Sequence, residues 1–210
     1  MLGFYNVSVI LTYLSLVFAS LGIAFSLQGG ERSVFGALLC LMFSGLCDMF
    51  DGAVAQKCKR NEEEKMFGVQ IDSLCDLIAF GVLPACIALN LAGGNAFSRV
   101  AATLIMLSSV IRLGYFNVQE IARDKSMKRK TYTGVPVTLI SIFLPMFLLL
   151  NLLFSIPQTI FAPLFLCVFA ALEISRLPLK KPYGYRKIVV LAVGVSVFVL
   201  TCVLGTRIHP

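Results

Sequence analysis

CDMFDGAVAQKCKRNEEEKMFGVQIDSLCDLIAFG, residues 47–81, sets Asp48, Asp51, Asp72 and Asp76 among stretches that are otherwise apolar. A carboxylate at membrane depth costs at least a few kcal/mol, and such residues in spanning helices mark functional sites. Asp48 and Asp51 are three apart and Asp72 and Asp76 four apart, so each pair shares one face of its helix. Two such helices facing each other would converge four negative charges, which repel unless something cationic sits among them. The economical answer is a pair of divalent metal ions. Oxygen donors favour magnesium or manganese over zinc.

The surrounding sequence makes the setting a membrane. Of 210 residues, 58% are hydrophobic and 14% charged, with a mean hydropathy of +0.88; a soluble domain carries roughly 25% charge. Apolar runs of spanning length fall near residues 6–27, 33–57, 67–92, 97–119, 134–153, 158–174 and 187–206. Gly29-Gly30, Gly93-Gly94-Asn95, Ser155-Ile156-Pro157 and Pro182-Tyr183-Gly184 punctuate between them. The pattern predicts an all-α, polytopic membrane helical bundle of about seven transmembrane helices, with six to eight compatible with the runs. Residues 1–210 read as a single integral membrane domain, with the catalytic helix pair at 33–92. Pro145 and Pro163 predict kinks in the fifth and sixth spans. The run from Val7 to Leu27 lacks a basic leader and exceeds a signal-peptide core, which predicts a retained first span.

The net charge of +7 does not point to nucleic acid, because the basic residues form no continuous face. Lys57, Lys59, Arg60 and Lys65 form one group, Arg123, Lys125, Lys128, Arg129 and Lys130 a second, and Arg176, Lys180, Lys181, Arg186 and Lys187 a third. Alternating loops put all three groups on one side, which the positive-inside rule makes cytoplasmic. The seven cysteines lie mostly in apolar runs without zinc-like spacing and read as small hydrophobes.

Asn61 followed by Glu62, Glu63 and Glu64 has two readings: a helix N-cap with acids in its first turn, or a solvated charge run. Gly52 follows Asp51, Gly68 lies one turn before Asp72, and Ala55 continues the small-residue face. Such residues let a bulky ligand approach the backbone; they equally permit close helix packing.

The pattern D-x2-D-G-x2-A…G-x3-D-x3-D, from Asp48 to Asp76, resembles the active-site signature of the CDP-alcohol phosphatidyltransferases. FGVQIDSLCDLIAFGVLPA (67–85), IRLGYFN (111–117) and TYTGVPVT (131–138) are similar to the phosphatidylserine synthase branch of that family. The similarity covers roughly residues 1–140. It implies phosphatidyl transfer from CDP-diacylglycerol to the hydroxyl of L-serine, with CMP leaving. It also implies two divalent cations, Mg2+ or Mn2+, held by Asp48, Asp51, Asp72 and Asp76, with Asp76 as base. Gly52, Ala55 and Gly68 would border the CDP pocket. Two departures stand out: Gln56 occupies the place of the family's arginine, and the stretch from there to Gly68 is about three residues longer than usual. Lys57 or Lys59 is then expected to supply the missing cation beside Gln56. A homodimer, a prokaryotic plasma membrane and a site facing the cytoplasm complete the implied picture.

Serine brings a carboxylate, so a cation near the acceptor is expected. Arg112 in the fourth span is the candidate, either as an anion contact or as a partner of one of the aspartates. Lys130 and Tyr132 are expected at the acceptor wall, with Gly134 and Pro136. Glycerol 3-phosphate and inositol phosphate are the alternative acceptors; their phosphates call for more buried cations than Arg112. A phospholipase D-like mechanism needs paired histidines, and the chain has only His209. A divalent-cation channel would need polar residues continuing across the bilayer, which the runs lack. A non-catalytic scaffold would not need all four carboxylates.

Overall fold

The apolar runs become helical rods in the computed structural model, which describes residues 3, 6, 9–121, 131–154, 156–180 and 185–207. They are α1 (Ile10–Gln28), α2 (Glu31–Lys57), α3 (Glu62–Leu91), α4 (Ala96–Ile121), α5 (Ile140–Phe154), α6 (Gln158–Ile174) and α7 (Tyr185–Arg207). Four of them, α1 to α4, are long and apolar enough to cross a membrane; α5, α6 and α7 carry shorter apolar runs of 15 to 17 residues or so. At 1.5 Å per residue such a run covers about 25 Å, somewhat short of a hydrocarbon core of about 30 Å. Pro145 and Pro163 lie inside α5 and α6, both fully enclosed by neighbouring helices.

Helix α3 has three parts: an α-helical segment Glu62–Asp76, a π-helical turn Leu77–Val82 and an α-helical segment Leu83–Leu91. Its start settles the reading of the acidic run. Asn61 accepts from the Glu64 backbone N–H at 2.7 Å while the Glu64 carboxylate accepts from the Asn61 N–H at 2.9 Å, a reciprocal capping box. The helix therefore begins five residues before the apolar run expected at 67. The π-helical turn directly follows Asp76, and such turns recur at functional sites.

Packing inverts the soluble pattern. On α1, Ile10, Leu14, Val17, Leu21 and Phe25 point outward, while Thr12, Ser15, Ala19, Gly22 and Ser26 face the bundle. Lipid is as apolar as leucine, so close approach of small residues and interhelical hydrogen bonds replace the hydrophobic drive between helices. Ser15 and Ser44 exchange such bonds, each hydroxyl donating to the other's carbonyl oxygen at 3.3 and 2.9 Å, and so clamp α1 to α2. Helix α3 is the most enclosed of the long helices, with Phe80, Leu83 and Ile87 at the centre of the core. Gly81 lets α4 come close, with Ser109 lying against its bare Cα.

Strands β1 (Thr131–Thr133) and β2 (Pro178–Lys180) pair antiparallel, Tyr132 opposite Leu179. This short ladder was not expected from the sequence. It brings the segment that leads into α5 beside the one that follows α6. Asn6 donates to the Lys59 carbonyl oxygen at 3.5 Å, so the α1 approach lies against the loop between α2 and α3.

Candidate active site

Asp48 and Asp51 lie in the last turns of α2, and Asp72 and Asp76 lie on α3, which starts at the Asn61 capping box. Asp48, Asp72 and Asp76 each present a carboxylate oxygen, and these oxygens all lie within 4.8 Å of one another. Asp48 lies beside Asp76, and Asp51 beside Asp72. Thr12 on α1 completes the second pair, donating from Oγ1 to Asp51 Oδ2 at 3.3 Å. The sequence carried no signal for Thr12, which is one polar residue in an apolar run.

Two unit negative charges at 4.8 Å repel by about 3 kcal/mol at an effective dielectric of about 20. The cluster must therefore share protons or a cation. Its donors are all carboxylate oxygens, with a hydroxyl alongside, and no imidazole or thiolate belongs to the group. That donor set fits a hard divalent cation. Cys47 and Cys75 are buried free thiols adjoining the aspartates in sequence, and both stay outside the cluster.

Around the carboxylates, Gly52 is exposed and a Cβ built there would meet nothing within 4 Å. Open space rather than helix packing lies over it. Ala55 is half-buried, while Gln56, Lys57 and Lys59 are exposed. Gly68 differs: a Cβ there would come 3.3 Å from Nη1 of Arg60, whose side chain lies across the glycine. The Arg60 Nε is buried and has no hydrogen-bond partner. Ser73, between Asp72 and Asp76, donates to Asn117 Oδ1 at 2.9 Å and ties α3 to α4 at this level.

Arg112 is buried on α4, between Ser109, which packs on Gly81, and Asn117, which holds Ser73. Those two contacts place it about half a turn, roughly 3 Å, beyond the level of Asp76. Its Nη1 donates to the Glu173 carbonyl oxygen at 2.8 Å and its Nη2 to the Gly134 carbonyl oxygen at 3.3 Å. The guanidinium also stands over the Phe116 ring, 4.6 Å from its centroid. Glu173, at the end of α6, is only 1% exposed, and its carboxylate accepts from Ser108 at 2.6 Å and from Ser109 at 3.2 Å. The sequence reading passed over Glu173 as part of an apolar run. Its signal was the one named for the aspartates: a carboxylate inside a spanning segment. Tyr132 lies in β1, and Lys130 lies outside the described residues.

On the other side of α2, an apolar cavity of about 150 Å³ runs between α2, α5 and α7, lined by Met42, Leu46, Met49, Ile142, Gly194 and Phe198. Met49, one of the lining residues, directly follows Asp48 in sequence.

Comparison with known proteins agrees with this geometry. A family model described as CDP-alcohol phosphatidyltransferase matches residues 5–174. The CDP-diacylglycerol–serine O-phosphatidyltransferase of Saccharomyces cerevisiae is 32% identical over 116 residues, which is 54% of this chain and 41% of that protein. The archaetidylserine synthase of Methanothermobacter thermautotrophicus is 31% identical over 137 residues, 65% of this chain and 56% of its own length. A CDP-diacylglycerol–serine O-phosphatidyltransferase of Helicobacter pylori is 30% identical over 146 residues, 64% of this chain and 58% of that protein. The chain thus spans about half the length of the curated relatives it matches.

Proposed function

The chain belongs to the CDP-alcohol phosphatidyltransferase family, and on that premise we propose that it transfers a phosphatidyl group from CDP-diacylglycerol to the hydroxyl of L-serine. The observation that carries the reading is the convergence of Asp48, Asp72 and Asp76 within 4.8 Å, with Asp51 beside them accepting a hydrogen bond from Thr12. Relatives named for serine transfer support the acceptor.

Asp48, Asp51, Asp72 and Asp76 would hold two divalent cations, Mg2+ or Mn2+, which when bound polarise the reacting phosphorus and stabilise the leaving phosphate. The chain's own groups do the rest. Gly52 leaves the approach to the carboxylates open for the nucleotide, bordered by Ala55, Gln56, Lys57 and Gly68. The apolar cavity lined by Met42, Leu46 and Met49 would accommodate lipid chain. Asp76, buried among the other carboxylates, takes the proton of the acceptor hydroxyl. The serine oxygen forms the new bond to the lipid-proximal phosphorus as the bond to CMP breaks, and CMP departs with that electron pair. A carboxylate is a weak base for an alcohol, so orientation supplies much of the activation. Arg112 provides the positive field that attracts the serine carboxylate, and Lys130 and Tyr132 would contact the acceptor.

The reading places the aspartate end at the cytoplasmic face of a prokaryotic plasma membrane, following the basic loops. It also includes a homodimer, which chemical crosslinking in native membranes tests.

CMP release by the purified chain tests the function, with CDP-diacylglycerol, magnesium or manganese, and one acceptor at a time. Release that requires serine and stops with chelator is expected. Release only with glycerol 3-phosphate or inositol phosphate moves the acceptor within the family, and no release with any alcohol overturns the reading. A CDP-activated diether lipid run in parallel decides the lipid, as the relative named archaetidylserine synthase makes that arm necessary.

A further inference from the structure

We propose that Arg60 binds a phosphate of the nucleotide diphosphate, replacing the cation that Gln56 does not provide; this rests on the CDP-lipid reading above. Helix α2 ends at Lys57, Cys58 turns to extended backbone (φ −86°, ψ 137°), and Asn61 caps α3. Arg60 therefore sits immediately before the cap, where its side chain can fold back along α3. It does so, reaching the bare Cα of Gly68 with Nη1 3.3 Å from the Cβ position. Gly68, Asp72 and Asp76 follow at four-residue steps on one face of the helix. The guanidinium thus stands about 6 Å, one turn, from the level of Asp72 on the face that carries the aspartates.

Its electrostatics are unfinished. The Arg60 Nε is buried and lacks an acceptor, which is destabilising for an ionised donor. Two of the three first-turn acids are engaged elsewhere: Glu62 pairs with Lys65 at 2.9 Å and Glu64 closes the capping box. That is the one ion pair among the described residues, and it does not include Arg60. A phosphate, with two oxygens in a plane, complements the guanidinium fork. Lys57 and Lys59, the other cations of this loop, are exposed and carry no such buried donor. The length of the connection explains the substitution. With Gln56 on the exposed surface of α2, the residues up to the cap carry a cation across to α3 instead.

Calorimetric titration of the detergent-purified full chain with CDP in the presence of Mg2+ tests this, with cytidine as the phosphate-free control. Arg60→Gln should weaken CDP binding about 10- to 100-fold, leave cytidine binding unchanged and leave the unfolding temperature unchanged. Arg60→Lys, which keeps the charge and the fold but loses the fork, should fall between. Adding Gln56→Arg to Arg60→Gln should restore CDP binding to within about threefold of wild type. Unchanged CDP binding in Arg60→Gln overturns the role of Arg60 alone, as does an equal loss of CDP and cytidine. Absence of CDP binding by the wild-type chain overturns both the proposal and the reading beneath it.

Discussion

Arg112 on α4 donates to the carbonyl oxygen of Glu173 at the end of α6, Nη1 to O at 2.8 Å, across 61 residues of sequence. A second bond from Nη2 reaches the Gly134 carbonyl oxygen at 3.3 Å. One buried cation therefore fastens together the end of α6 and the residues that follow β1, about half a turn from the level of Asp76.

That position makes Arg112 both a strut and the candidate attractor of the acceptor. Arg112→Ala should raise the KM for serine far more than that for CDP-diacylglycerol and should lower the unfolding temperature. Arg112→Lys should keep more of the serine affinity than of the stability, since an ammonium cannot span both carbonyls as the fork does. An equal rise in both KM values would assign Arg112 to structure alone.

Gly134 is the least replaceable glycine near this strut. Its φ is +73°, and a Cβ there would stand 2.6 Å from the Glu173 carbonyl oxygen and 2.7 Å from Arg112 Nη1. Gly134→Ala should destabilise the fold by about 2 kcal/mol or more, combining left-handed strain with displacement of the guanidinium. Thermal unfolding in detergent measures it, and an unchanged midpoint would refute the packing described.

Gly52 should behave in the opposite way. With open space where its side chain would be, Gly52→Leu should keep or slightly raise stability, since leucine favours a helix by about 1 kcal/mol over glycine. It should nonetheless raise the KM for the CDP-lipid at least tenfold by occupying the approach to the carboxylates. Normal kinetics in a stable variant would remove Gly52 from the pocket.

Asp76→Asn tests the assignment of the base. Turnover should fall by about 10³-fold or more, while CDP binding stays measurable because the other three carboxylates remain. Retained turnover would take the proton to another group.

Much of the site was legible before any fold was known. Spacing of three and four puts Asp48 with Asp51 and Asp72 with Asp76 on shared faces, because helix geometry is local. A carboxylate inside a spanning run is costly enough to stand out. The same reasoning, applied evenly, would have flagged Glu173, which went unnoticed in a short run that otherwise reads as lipid-facing. The helical rods were likewise readable from run length, whereas Asn61–Glu64 fitted both a helix cap and a charge run until the capping box chose between them.

By itself, then, the sequence determined a helical membrane protein with an acidic site on its second and third helices, since periodicity and hydropathy act within one helix. Which helices meet was decided only in three dimensions. Thr12 reaches Asp51 across 39 residues, and Arg112 reaches Glu173 across 61. Arg60 covers Gly68 only because the loop folds back on α3. Periodicity states which face of a helix is polar; it carries no information about the neighbour that face will find, and small-residue packing and buried hydrogen bonds make that choice.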